Sequence, residues 1–224
     1  VKQTLNQIAL LIAKDLRLEA RTRQTLGLVV VLGLLIIVVL GLGLPRMQDG
    51  GLAAPAIVWV AYLFGGVLVF EKTMSVEHYD GALEALLLAP LDRGAIYAAK
   101  LIGNLLLMLA LAAVVTPAAM ILFGLDLSSA PLGFIAVIGL SMIGFGAVGT
   151  LFAAVATSSR LQGGLLAMLV FPVALPLVIA STQMLTHLFR DHQPLTAPGL
   201  AVLVAFDGIF LVVSWLVFEL VLEP

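Results

Sequence analysis

Residues 81–100 read GALEALLLAPLDRGAIYAAK, a run apolar enough to seek burial yet carrying Glu84, Asp92, Arg93 and Lys100. Asp80 is a suitable N-cap for a helix starting at Gly81. Pro90 ends that helix near Ala89, because the residue before a proline is pushed away from helical geometry. A helix over 81–89 is roughly 14 Å long, about half of the hydrocarbon thickness that a spanning helix must cover. The segment therefore cannot cross a bilayer. Asp92 can cap a second helix that begins near Arg93 and continues through Lys100 into the next apolar run. On the short helix Leu83, Leu86, Leu87 and Pro90 share one side, while Glu84 and Leu88 point elsewhere. Such a leucine stripe must be covered, by the lipid leaflet, by its own bundle, or by a groove on a soluble partner.

Outward from this stretch the chain turns to membrane. Hydrophobic residues make up 62% of it and charged residues only 11%, with mean hydropathy +1.19, a balance that would leave a water-soluble domain coated in apolar patches. Six runs are long and apolar enough to span: about 25–44, 52–70, 101–123, 131–156, 163–184 and 199–222. An even number of crossings returns both termini to one face. Lys2, Lys14, Arg17, Arg21 and Arg23 precede the first crossing, Lys72, Arg93 and Lys100 lie in the 71–100 linker, and Arg160 lies in the fourth-to-fifth connection. Only Arg46 and Arg190 fall on the other side. The excess of cations predicts that both termini and the 71–100 linker are cytoplasmic.

Residues 1–24 predict a helix lying in the membrane interface. Leu5, Ile8, Leu11, Ile12 and Leu16 recur at helical spacing, and Lys2, Lys14, Asp15, Arg17 and Arg21 form a charged side. Charges interrupt this segment too often for a secretory signal peptide.

Several chemistries find no support. The chain has no cysteine, so disulfides and thiolate metal or haem attachments are excluded. No phosphate-binding G-x-x-x-x-G-K-[ST] loop occurs, so any nucleotide hydrolysis of that type belongs to another chain, and nothing points to nucleic acid. Gly144, Gly146 and Gly149 fit G-x-G-x-x-G, but inside an apolar span with no strand before them; close helix packing, with Thr150 paired to Gly146, is the reading they support. Asp207 lies deep in the last span and Glu219 near its end, thin support for an ion-coupled carrier. His187 and His192 fall in the stretch MLTHLFRDHQPLTAP, read as an outer loop, at a spacing poor for joint haem ligation. Trp59 and Trp215 lie inside spans and read as packing residues.

The segment FEKTMSVEHYDGALEALLLAPLDRGAIYAAKLIGNLLL resembles the heme exporter protein B family, the membrane subunit of an ABC transporter in bacterial cytochrome c maturation. Gly81, Leu83, Glu84, Leu86, Leu87, Leu88, Ala89 and Pro90 match its linker pattern G-x-L-E-x-L-L-L-[AS]-P. KDLRLEARTR at 14–23 and TSSRLQGGLLAMLVFPVALPLVIAS at 157–181 are similar to family segments as well, and the order matches over the whole chain. The resemblance implies an all-α polytopic protein, one permease domain over 1–224, with an N-terminal interfacial helix and a cytoplasmic coupling helix, like ABC-2-type exporters. It implies that a separate ABC ATPase docks on Asp80, Gly81, Leu83, Glu84, Leu86, Leu87 and Pro90. It implies no cofactor bound directly, haem and ATP being handled by partner subunits: the ATPase, a Trp-rich haem-handling membrane protein, a small single-span protein and a periplasmic haem chaperone. Two permease copies would pair in the inner membrane of a bacterium, and the complex would deliver haem to the periplasm or release the loaded chaperone. The residues alone leave open a permease of the same build for a lipid, drug or polysaccharide, and a scaffold that transports nothing.

Overall fold

The computed structural model describes residues 2–43, 50–79, 93–124, 130–158, 164–190 and 195–221. Among them seven helices follow one another: α1 (Lys2–Thr22), α2 (Gln24–Gly43), α3 (Gly50–Tyr79), α4 (Arg93–Phe123), α5 (Pro131–Ser158), α6 (Leu165–Arg190) and α7 (Ala197–Val221). Helices α2 to α7 are each long and apolar enough to cross a membrane. In lipid a backbone must satisfy its own hydrogen bonds, which is why the apolar runs become uninterrupted helices.

α1 and α2 are separated by a single residue. Arg23 adopts φ 52°, in the left-handed region, and its amide donates to the Glu19 carbonyl at 2.6 Å. The Glu19 carboxylate in turn accepts from the Leu26 amide at 2.6 Å, covering one of the unsatisfied amides that open α2. This turn leaves α1 packed along the first half of α4.

α2 is apolar all round, yet it has two distinct sides. Thr25, Val29, Gly33 and Ile37, four apart, are buried, whereas Leu28, Val31, Leu35, Val38, Val39 and Leu42 are exposed as a lipid-facing surface would be. Gly41, half-buried, lies one turn further along the same row. A side chain at Gly33 would press on Leu111 and Val115 of α4, and one at Gly41 on Leu122 and Phe123. Gly33 and Gly41, two turns apart, thus let two spans approach closely.

The core is formed where α3, α4 and α5 meet α6 and α7. Phe70 stacks edge-on against Phe145 at 5.2 Å, joining α3 to α5. Trp59 of α3 donates through Nε1 to Ser181 Oγ of α6 at 2.9 Å, and the Tyr62 and Thr116 hydroxyls are 2.5 Å apart between α3 and α4. Gly144, Gly146 and Gly149 are indeed packing residues: they abut Asp207 and Phe206 of α7, Leu101 and Leu105 of α4, and Phe70 of α3 respectively. Three glycines on one helix therefore admit three different neighbours.

The ends of the helices sort onto two faces. Tyr97 near the start of α4 meets Phe218 near the end of α7 at 5.1 Å, on the face where α2 begins. Phe134 at the start of α5 meets Phe189 at the end of α6 at 5.9 Å, on the opposite face.

Two helices are longer than the sequence predicts. α3 continues to Tyr79, so residues 71–79 are helical rather than part of a linker, and α6 continues to Arg190, which makes His187 helical rather than part of a loop. In both cases charged and polar side chains interrupt the apolar run, although a helix that has left the membrane needs no apolar face on its outer turns.

Candidate functional site

The seven residues expected to receive an ATPase, Asp80, Gly81, Leu83, Glu84, Leu86, Leu87 and Pro90, lie outside the described residues. What is described is where that segment is anchored: the last turns of α3 and the first turns of α4.

The start of α4 is held on every side. Gly94, Ala95, Ile96 and Tyr97 are buried as soon as the helix begins. The indole of Trp215 lies directly against Gly94, where no side chain could fit. Tyr97 sits edge-on to the same indole at 6.0 Å and tilted against Phe218 at 5.1 Å. One turn further, Lys100 is only 5% exposed and its Nζ lies 2.7 Å from Asp15 Oδ2 of α1. Asp15 also receives Lys14 at 3.2 Å. A buried ammonium needs such a carboxylate, since desolvation without a partner costs several kcal/mol (about 3–5).

The next turn carries a polar ladder. The Thr73 hydroxyl of α3 donates to Asn104 Oδ1 at 2.8 Å, and Asn104 Nδ2 donates to Thr150 Oγ1 of α5 at 2.9 Å. Asn104 is 2% exposed and Thr150 is fully buried. From Gly94 to Asn104, then, α4 is tied to α7, α1, α3 and α5 in succession.

Asp15 belongs to this inner surface and not to the charged side predicted for α1. Its neighbours Lys14 and Arg17 suggested solvent, whereas the requirement of Lys100, 85 residues later, turns it inward. Asn104, Thr73 and Thr150 were not singled out from the sequence; a lone asparagine within LIGNLLLM was the available signal. Asp207 is buried against Gly144, and neither carboxylate oxygen has a hydrogen-bond partner among the described residues. Trp59 and Trp215 are packing residues, the former with its added bond to Ser181. Among the described residues no group of three or more His, Cys, Asp or Glu side chains could hold a metal ion. His187 is exposed near the end of α6, and His192 lies outside the described residues.

Comparison with protein families decides whose architecture this is. The profile of the family described as CcmB protein matches residues 6–222. The chain belongs to the CcmB family. A curated CcmB-type relative, heme exporter protein B of Paracoccus denitrificans (strain Pd 1222), is 29% identical over 194 residues, which cover 84% of this chain and 86% of the relative. CcmB proteins are multi-pass membrane proteins, the non-catalytic membrane subunit of an ABC exporter in cytochrome c maturation. The CcmB match runs from within α1 to beyond the end of α7, so the anchored start of α4 lies inside it.

Proposed function

We propose that this chain is the permease through which a separate ATPase drives haem delivery across the inner membrane, or release of the haem-loaded chaperone, during c-type cytochrome biogenesis. The ATPase grips residues 80–90 on the cytoplasmic side. Leu83, Leu86 and Leu87 enter its groove, and Asp80, Gly81, Glu84 and Pro90 fix the helix ends and orientation. The reading rests on one observation above others: the helix that leaves this segment is clamped within its first three turns to α7, α1, α3 and α5. That is the arrangement required of a lever. α1 lies along the inner leaflet as an interfacial brace, its Asp15 coupling it to the same lever. Two copies pair over two ATPases, and haem is the cargo of the assembled complex; its ligands are supplied by the haem-handling partners.

Leu87→Asp tests the proposal. A carboxylate placed in an apolar contact costs several kcal/mol (roughly 2–7), enough to remove most of a moderate binding affinity. Affinity purification of the variant complex is expected to lose the ATPase while the permease remains in the membrane, and c-type cytochrome production is expected to fall with it. Unchanged ATPase recovery would reject the docking site.

A further inference from the structure

A cavity of about 260 Å³ opens between α1, the start of α2, the end of α3 and α4. Its walls carry charge of both signs, Asp15 and Glu19 from α1 opposite Lys72 of α3 and Lys100 of α4, with Asn104 at its inner end. Leu16, Leu18 and Leu107 supply apolar wall. Gly103 also lines it, and although that glycine is buried, a Cβ built there meets no atom within 4 Å. A side chain at 103 would therefore enter open space.

We propose that this cavity binds the headgroup of a zwitterionic phospholipid of the phosphoethanolamine class. Its level is that of a headgroup: Gln24 and Thr25 open α2, and Lys72 and Thr73 close the apolar part of α3, which ends at Ser75. Its mouth is apolar on one side, where Leu18 lines it while 45% exposed, on the same helix as the exposed Leu5 and Leu10. Its volume falls below the range of about 300–1,000 Å³ that buries drug-sized ligands, so it admits a headgroup and leaves the acyl chains outside against α1 and α2. Its charge selects the class. The four charges that line it, two ammonium groups and two carboxylates, sum to zero, with Lys14 reaching Asp15 from the exposed side, so a zwitterion leaves the lining balanced where a singly charged anion does not. The phosphate is met by the Lys72 ammonium, and the amine by Glu19, whose other oxygen holds the start of α2.

The test is made on the purified full chain in mild detergent, stripped of lipid and re-supplied with phosphatidylethanolamine, with phosphatidylglycerol, or with inorganic phosphate. Native mass spectrometry is expected to show phosphatidylethanolamine retained after phosphatidylglycerol has dissociated, with a matching rise in unfolding temperature. Gly103→Leu fills the space and is expected to abolish both signals, and Lys72→Gln, on an exposed side chain, to weaken them. Should Gly103→Leu fail to fold, Lys72→Gln decides. Equal retention of phosphatidylglycerol would overturn the zwitterion assignment. An equal thermal shift with inorganic phosphate would make this a free-anion site, and retention undiminished in Lys72→Gln or in folded Gly103→Leu would place the lipid elsewhere; either result sinks the proposal.

Discussion

A methyl group on Gly94 would lie within the indole of Trp215, so the entry of α4 into the bundle depends on a hydrogen atom at that position. Gly94→Ala is expected to destabilise the protein by about 1–3 kcal/mol, the usual cost of overpacking. Trp215→Leu alone should cost less, because the indole is 39% exposed on its outer side. Combined, the two changes should be less damaging than their sum, with a coupling of roughly 0.5–3 kcal/mol. Thermal unfolding of the three variants in detergent checks this, and strict additivity would mean that the indole does not rest on Gly94. The glycines show what a sequence can and cannot reveal at this scale. Gly144, Gly146 and Gly149 announce close packing, since a span of that composition can do little else with them. That each faces a different helix depends on which spans become neighbours, and no local pattern encodes it. Gly94 carries no signal at all in sequence, for its constraint comes from a tryptophan 121 positions away, the difference between 215 and 94.

Elements were legible where lipid dictates them and obscure where protein does. The six apolar runs read from the sequence each fall on one of the six helices long enough to span, because each needs an apolar run, and Lys100 could be read as part of the helix entering the third span. Which side of α1 faces inward was misread at Asp15, because its sequence neighbours are charged and its true partner is distant. The pair is unequal, and this inequality can be measured. Lys100 has 7% side-chain exposure and Asp15 19%, so loss of the carboxylate leaves a more deeply buried charge than loss of the ammonium does. Asp15→Ala is accordingly expected to cost about 3–5 kcal/mol, and Lys100→Met distinctly less, since methionine refills the volume and Asp15 can turn to Lys14 or solvent. Chemical denaturation in detergent should rank them in that order. The reverse order would mean that Asp15 and not Lys100 is the group the bundle has to neutralise.

At the scale of the molecule, sidedness governs whether any of the coupling scheme is possible. Helices α2 to α7 supply an even number of crossings, so the start of α2, the end of α3, the start of α4 and the end of α7 share a face. The 80–92 segment joins α3 to α4 on that face. Lysine and arginine resist translocation, and these residues collect on the same side, with only Arg46 and Arg190, the last residue of α6, toward the other. The proposed function requires the segment to be inside, because an ATPase that grips it needs cytoplasmic ATP. The absence of native cysteine makes the question direct, because a single introduced thiol is then the only one in the chain. Ala82→Cys is expected to react with a membrane-impermeant maleimide in inverted vesicles and to be protected in intact spheroplasts, while Gln48→Cys, one crossing away, should show the opposite pattern. Labelling of Ala82→Cys from outside the cell would invert the topology, put the leucine stripe beyond reach of any cytoplasmic motor, and leave the clamped start of α4 with nothing to transmit.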